Sequence, residues 1–138
     1  TDKTNKINKI IMKIIDSILI NAFYLVNFIL IIFYLYPGSI LGYFLYNNPL
    51  IQPQITKNFV ISSNHFFVFI FISTIGVLAY HNKKKINFLI KYLLFLSIFL
   101  ECFHLIIPNR GFEWSDLFGN ILGVIVVIII YKVKSMYE

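Results

Sequence analysis

Glu101, His104, Arg110, Asp116 and Asn120 occupy one short stretch of a chain that is otherwise overwhelmingly apolar. Each type has a definite chemistry. Carboxylates and imidazoles move protons, a guanidinium grips anions through its fork of N–H donors, and a carboxamide orients its neighbours because it both donates and accepts. Glu101 and His104 are three residues apart and share one face of a helix, with Ser97 a turn below. Asp116, Asn120 and Gly123 share a face of the next helix by the same spacing, and Arg110 lies on the connection between the two. His65, at the start of an earlier apolar run, is expected at the same depth. Polar groups at membrane depth are costly, so such a cluster is a functional site by default.

The composition sets the medium. Of 138 residues, 59% are hydrophobic and 13% charged, and the mean hydropathy is +0.80, which excludes an ordinary soluble domain. The net charge is +6, but the lysines sit in short clusters beside apolar runs, a pattern of membrane topology rather than of nucleic-acid binding. Cys102 is the single cysteine, so no internal disulfide can form. The sequence contains no Gly-x-Ser-x-Gly, P-loop, His-Glu-x-x-His or Cys-x-x-Cys pattern, and it names no nucleophile.

Four apolar runs must position the cluster. The expected fold is an all-α membrane protein, a single four-span domain over 17–138. Its spans are at about 17–36, 59–80, 86–107 and 116–131, preceded by a cytoplasmic basic amphipathic segment over 1–16. The connection 37–58 holds an aromatic stretch too short to span, expected at the interface. Four spans put both termini on one side, together with Lys3, Lys6, Lys9, Lys13, Lys83, Lys84, Lys85, Lys91, Lys132 and Lys134. Only Lys57 and Arg110 face the other side. The positive-inside bias makes the termini cytoplasmic and places the polar cluster near the outer leaflet. Glu101 is expected about 10 Å inside that boundary, with Arg110 or His104 as its partner.

Two readings of the cluster stand side by side. It is a site for a head group or substrate, or a structural knot of hydrogen bonds and ion pairs that fixes a small bundle. A metal set of His65, Glu101 and His104 is chemically available, since Glu-x-x-His puts two ligands on one helix face. One such motif does not make a metal centre, and no metal or other cofactor is expected. Gly119-x-x-x-Gly123 is a close-packing pattern, and Trp114 is an interfacial anchor.

Written out, the spacing is Glu101-x2-His104-x3-Pro108-x-Arg110-x5-Asp116-x3-Asn120-x2-Gly123. It resembles the signature of the VanZ-like family of bacterial membrane proteins, and the His65-Phe66 helix start is similar to that family's earlier His-Phe segment. The likeness covers roughly residues 60–130. His104 stands where the family usually carries Gln, and Ile61-Ser62-Ser63-Asn64 replaces the Asp-Lys pair common before the His. The resemblance implies a multi-pass protein of the bacterial cytoplasmic membrane with a role in the cell envelope, of the kind linked to teicoplanin-type glycopeptide tolerance. On this reading a membrane lipid or lipid-linked envelope precursor is the partner, and nucleic acid is not. Arg110 binds an anionic head group, oriented by Asp116 and Asn120, and Glu101, His104 and His65 supply hydrogen bonds or acid–base chemistry. The alternative is a non-enzymatic scaffold or subunit.

Overall fold

A computed structural model describes residues 2–56, 59–81 and 83–137. Among these residues the chain is all-helical: α1 (Asp2–Leu35), α2 (Ile40–Tyr46), α3 (Ser63–Ala79), α4 (Lys83–Phe103) and α5 (Trp114–Tyr137). Three of the helices, α1, α4 and α5, are long and apolar enough to cross a membrane, and α3 is a shorter apolar helix of 17 residues. The long helices alternate in direction, so that the end of α1, the start of α3, the end of α4 and the start of α5 meet at one end of the bundle. That end carries the polar residues.

The basic segment and the first span are one uninterrupted helix. Thirty-four residues make a rod about 51 Å long, well beyond a hydrocarbon core of about 30 Å. Nothing between Lys13 and Ser17 breaks the helix, because neither Gly nor Pro occurs there. The lysines at 3, 6, 9 and 13 therefore ride on a continuation of the span rather than on a separate interfacial element. Lys57, one of the two basic residues assigned by sequence to the opposite side, lies outside the described residues.

Helix ends depart from the expected spans for local reasons. α4 stops at Phe103, where the backbone tightens into three-residue turns: His104 N–H donates to Glu101 O, Leu105 to Cys102 O and Ile106 to Phe103 O. Pro108 disfavours helical backbone at the residue before it, and the chain has left the helix by then. Glu101 is thus in the last turn of α4 rather than two turns inside. α3 begins only at Ser63 because 53–56 is tied across its first turn. Asn64 accepts from Ile55 N–H and donates to Pro53 O, and Ser63 Oγ accepts from Thr56 N–H. The connection after α1 is ordered as well. Ser39 caps α2 by accepting from Gly42 N–H at 2.9 Å, and left-handed Asn47 ends it.

The core runs along one stripe of α4 (Ile86, Leu89, Leu93, Leu96, Leu100), spaced three and four residues apart, and is completed by Phe23 and Leu30 of α1, Phe69 and Ile72 of α3, and Val124 of α5. Ser97, Glu101 and His104 continue that buried stripe towards the polar end. Asn27 faces another helix, donating to Phe23 O and accepting from Tyr92 Oη, whereas Asn21, expected to do the same, is exposed.

α3 and α5 pack most closely, and two glycines set their separation. A Cβ on Gly123 would lie 2.6 Å from Phe66 O and 2.8 Å from Phe69 Cβ, and one on Gly119 would lie 2.8 Å from Ser62 O. All are atoms of α3 or its cap that cannot turn away. Gly123→Ala should therefore cost about 1–3 kcal/mol of stability, the usual range for overpacking. Gly111→Ala, with nothing within 4 Å of its Cβ, should leave the unfolding midpoint in detergent near wild type. Equal midpoints for the two variants would refute this packing.

Candidate functional site

Helices α1, α3, α4 and α5 each deliver polar atoms to the same end. Glu101 comes from the last turn of α4 and His104 from the turn just after it, Asp116 and Asn120 from the start of α5, His65 from the start of α3, and Tyr34 from the end of α1. All are buried, Glu101 and Asn120 completely. Low dielectric makes every unmatched polar atom here costly, so the direction of each hydrogen bond matters.

Asn120 fixes the order. Its Nδ2 donates to the carbonyl of Ser97 at 3.2 Å, which leaves Oδ1 as the acceptor. Tyr34 Oη donates to that oxygen at 2.7 Å, and His65 Nδ1 lies 3.1 Å from it and 2.9 Å from Tyr34 Oη. His65 Nδ1 is thus engaged by both Asn120 and Tyr34 on the side of the ring away from Asp116. Nε2 faces Asp116 Oδ2, 3.2 Å away.

Glu101 and His104 form a second group. Glu101 Oε1 accepts from Glu113 N–H at 2.9 Å. His104 Nε2 is 3.1 Å from Tyr34 O, which as a carbonyl can only accept, so Nε2 carries hydrogen. His104 Nδ1 and Glu101 Oε2 are 3.2 Å apart, but no aligned hydrogen bond joins them, and Oε2 is left without one among the described residues. The His104 ring also stacks on Tyr34, with centroids 5.6 Å apart.

Arg110 is half-buried at the edge of the cluster. Its guanidinium donates to Phe33 O at 3.3 Å and to Tyr36 O at 3.5 Å, carbonyls at the end of α1 that suit a cation. Burial pushes its pKa down from the ordinary value, and the nearby Asp116 carboxylate opposes that shift. Asp116 and Asn120 meet His65 and Tyr34 rather than orienting Arg110 by direct hydrogen bonds.

Among the described residues, cavities reach the cluster from more than one side. A groove of about 320 Å³ runs between α1 and α3. Val26, Ile29, Phe33, Val68 and Phe71 make its walls apolar, and Tyr34, His65, Asn64, Gln52 and Arg110 gather at its polar end. A second cavity of about 430 Å³, among Gln54, Thr56, Ser62, Glu113, Ser115 and Asp116, is more polar and is built by the connections.

The six residues singled out by sequence thus lie at one end of the bundle. Tyr34, Gln52, Asn64 and the Glu113 backbone were not foreseen. Tyr34 is one of nine tyrosines, and only its spacing from Asn27 and Leu30 along the buried face of α1 could have set it apart. Tyr34→Phe removes a hydroxyl shared by two buried partners and should cost about 1–3 kcal/mol. Tyr24→Phe, at an exposed Tyr80–Tyr24 contact of 3.2 Å, should cost far less. Detergent unfolding midpoints measure both, and equal losses would remove Tyr34 from its central place.

Compared with protein-family models, curated proteins and solved structures, the chain gives no match.

Proposed function

We propose that this chain is a VanZ-like protein of the bacterial cytoplasmic membrane that binds or modifies an amphiphilic cell-envelope molecule in the groove between α1 and α3. The single observation behind this reading is the groove itself. It is a cavity of about 320 Å³ with apolar walls along the helices and a polar end holding Arg110, His65, Asn64 and Gln52. That division suits a molecule with a hydrocarbon chain and an anionic head, and the volume falls in the ordinary range for ligand pockets. Arg110 takes the head group, with the carbonyls of Phe33 and Tyr36 holding its guanidinium in place. Glu101, His104 and His65 lie just behind it and supply hydrogen bonds or acid–base chemistry.

In this reading α3 is a fourth, short span. Its 17 residues reach about 26 Å, a mismatch that a bilayer absorbs by local thinning. Lys3, Lys6, Lys9, Lys13, Lys132 and Lys134 belong to the end away from Arg110, which makes that end cytoplasmic by the positive-inside rule and puts the groove's polar end at the outer leaflet.

A second reading rests on the hydrogen-bond network. Tyr34, His65, Asn120 and the Ser97 carbonyl join four helices, as a scaffold that needs no ligand would also require. Arg110→Ala and Glu101→Gln separate the two readings. In a strain whose teicoplanin-type tolerance depends on this protein, the site reading expects both variants to lose tolerance at normal protein level. The scaffold reading expects lower abundance and a lower melting temperature, with tolerance falling only in proportion. Full tolerance in both variants at normal abundance would sink the site reading.

A further inference from the structure

His65, Glu101 and Asp116 each offer one ligand atom, and these atoms lie within 4.8 Å of one another, all on buried residues. They come from three helices, α3, α4 and α5. Their hydrogen-bond surroundings leave one nitrogen or oxygen of each facing the others. His65 Nδ1 is committed to Asn120 and Tyr34, which leaves Nε2 facing Asp116 Oδ2 at 3.2 Å, the nitrogen an ion would take. Glu101 Oε1 is committed to Glu113 N–H, and Oε2, on a residue with 0% exposure, accepts no hydrogen bond among the described residues. His104 Nδ1 is 3.2 Å from Oε2 but out of hydrogen-bond alignment, and its Nε2 is turned to the Tyr34 carbonyl. The described hydrogen bonds of Arg110 go to α1 carbonyls rather than to either carboxylate. Two buried carboxylates and an imidazole nitrogen thus converge, while Ser115 Oγ donates at 3.5 Å to the other oxygen of Asp116, Oδ1.

We propose that His65, Glu101 and Asp116 bind a divalent transition-metal ion of the zinc type. An imidazole with two carboxylates is a recognised mixed donor set for such ions, and a divalent cation balances two carboxylates in a medium where their charge is costly. The 3.2 Å separation of His65 Nε2 and Asp116 Oδ2 is close to the roughly 3.3 Å edge of a tetrahedron with metal–ligand bonds of about 2.0 Å. Asn120 and Tyr34 supply what a metal-bound histidine ordinarily has, a partner on its other nitrogen that fixes the tautomer. Asp116 also lines the polar cavity formed by the connections, which gives an ion a route separate from the α1–α3 groove. The set differs from the one visible in the sequence, because Asp116 takes the place of His104. The ion site does not depend on what the groove binds, and its test uses no amphiphile.

The test uses the full chain purified in detergent, stripped with chelator and titrated with Zn2+ by calorimetry, with bound metal counted by mass spectrometry. The expected result is one equivalent per chain and a rise in melting temperature on adding Zn2+. Asp116→Asn and Glu101→Gln should each weaken binding by about 100-fold or more, at or above the upper end for losing a mere outer-shell partner. His81→Ala and Cys102→Ser, which alter the remaining histidine and thiol outside the cluster, should retain it. Because a variant can fail to fold, Co2+ is also added to the wild-type chain. A visible spectrum of tetrahedral or five-coordinate type without a thiolate charge-transfer band supports the site. No stoichiometric uptake by wild type, uptake unchanged in both carboxylate variants, or a thiolate band from Cys102 would each overturn it.

Discussion

Two carboxylates, Glu101 and Asp116, are buried within reach of one another at one end of an apolar bundle, and the rest of that end is arranged around the cost of keeping them there. A buried, unpaired carboxylate is worth several kcal/mol of destabilisation, while a hydrogen bond to it recovers only part. The chain answers with fixed donors. Glu113 contributes a backbone N–H to Glu101, and Asp116 sits in the first turn of α5, where the helix dipole favours an acid. Arg110 adds a positive charge nearby, spending its described hydrogen bonds on the end of α1. Its attraction to the carboxylates is therefore through space, strengthened by the low dielectric.

The glycine pattern and the polar cluster are parts of one device. Asp116, Gly119, Asn120 and Gly123 all lie on the face of α5 that meets α3 and α4, and all four are buried. A Cβ on Gly119 would stand 3.2 Å from His65 Cβ. The absent side chain is what lets α3 come near enough for His65 to reach Asp116 at one nitrogen and Asn120 at the other. Packing and chemistry here share residues, so a substitution at Gly119 would act on the histidine as well as on the helix crossing.

Much of this was legible in the sequence, for definite reasons. Glu101 and His104 stand out because an apolar helix carries so few charges, and helical spacing alone places them on one face. Arg110 stands out because its side of the connectivity holds almost no other base. The ends of the helices were less legible. Hydropathy does not register the three-residue turns after Phe103 or the ties from Ser63 and Asn64 that delay α3, since both are made by specific hydrogen bonds. Nor does it separate a continuous α1 from a segment followed by a span, because neither the lysine ladder nor the apolar run contains a helix breaker.

Tyr34 shows where sequence reasoning stops. Its ring packs against His65, Phe69 and His104, its hydroxyl serves Asn120, and its backbone carbonyl faces His104. Nothing local marks it among the other tyrosines, because each of those contacts comes from a helix distant in sequence. It lies between the apolar wall of the groove and the buried carboxylates behind it. Tyr34 and His65 both line the groove, and the Tyr34 hydroxyl and carbonyl meet His65 and His104. The residue that sequence singled out least thus joins His65 in linking the groove to the cluster.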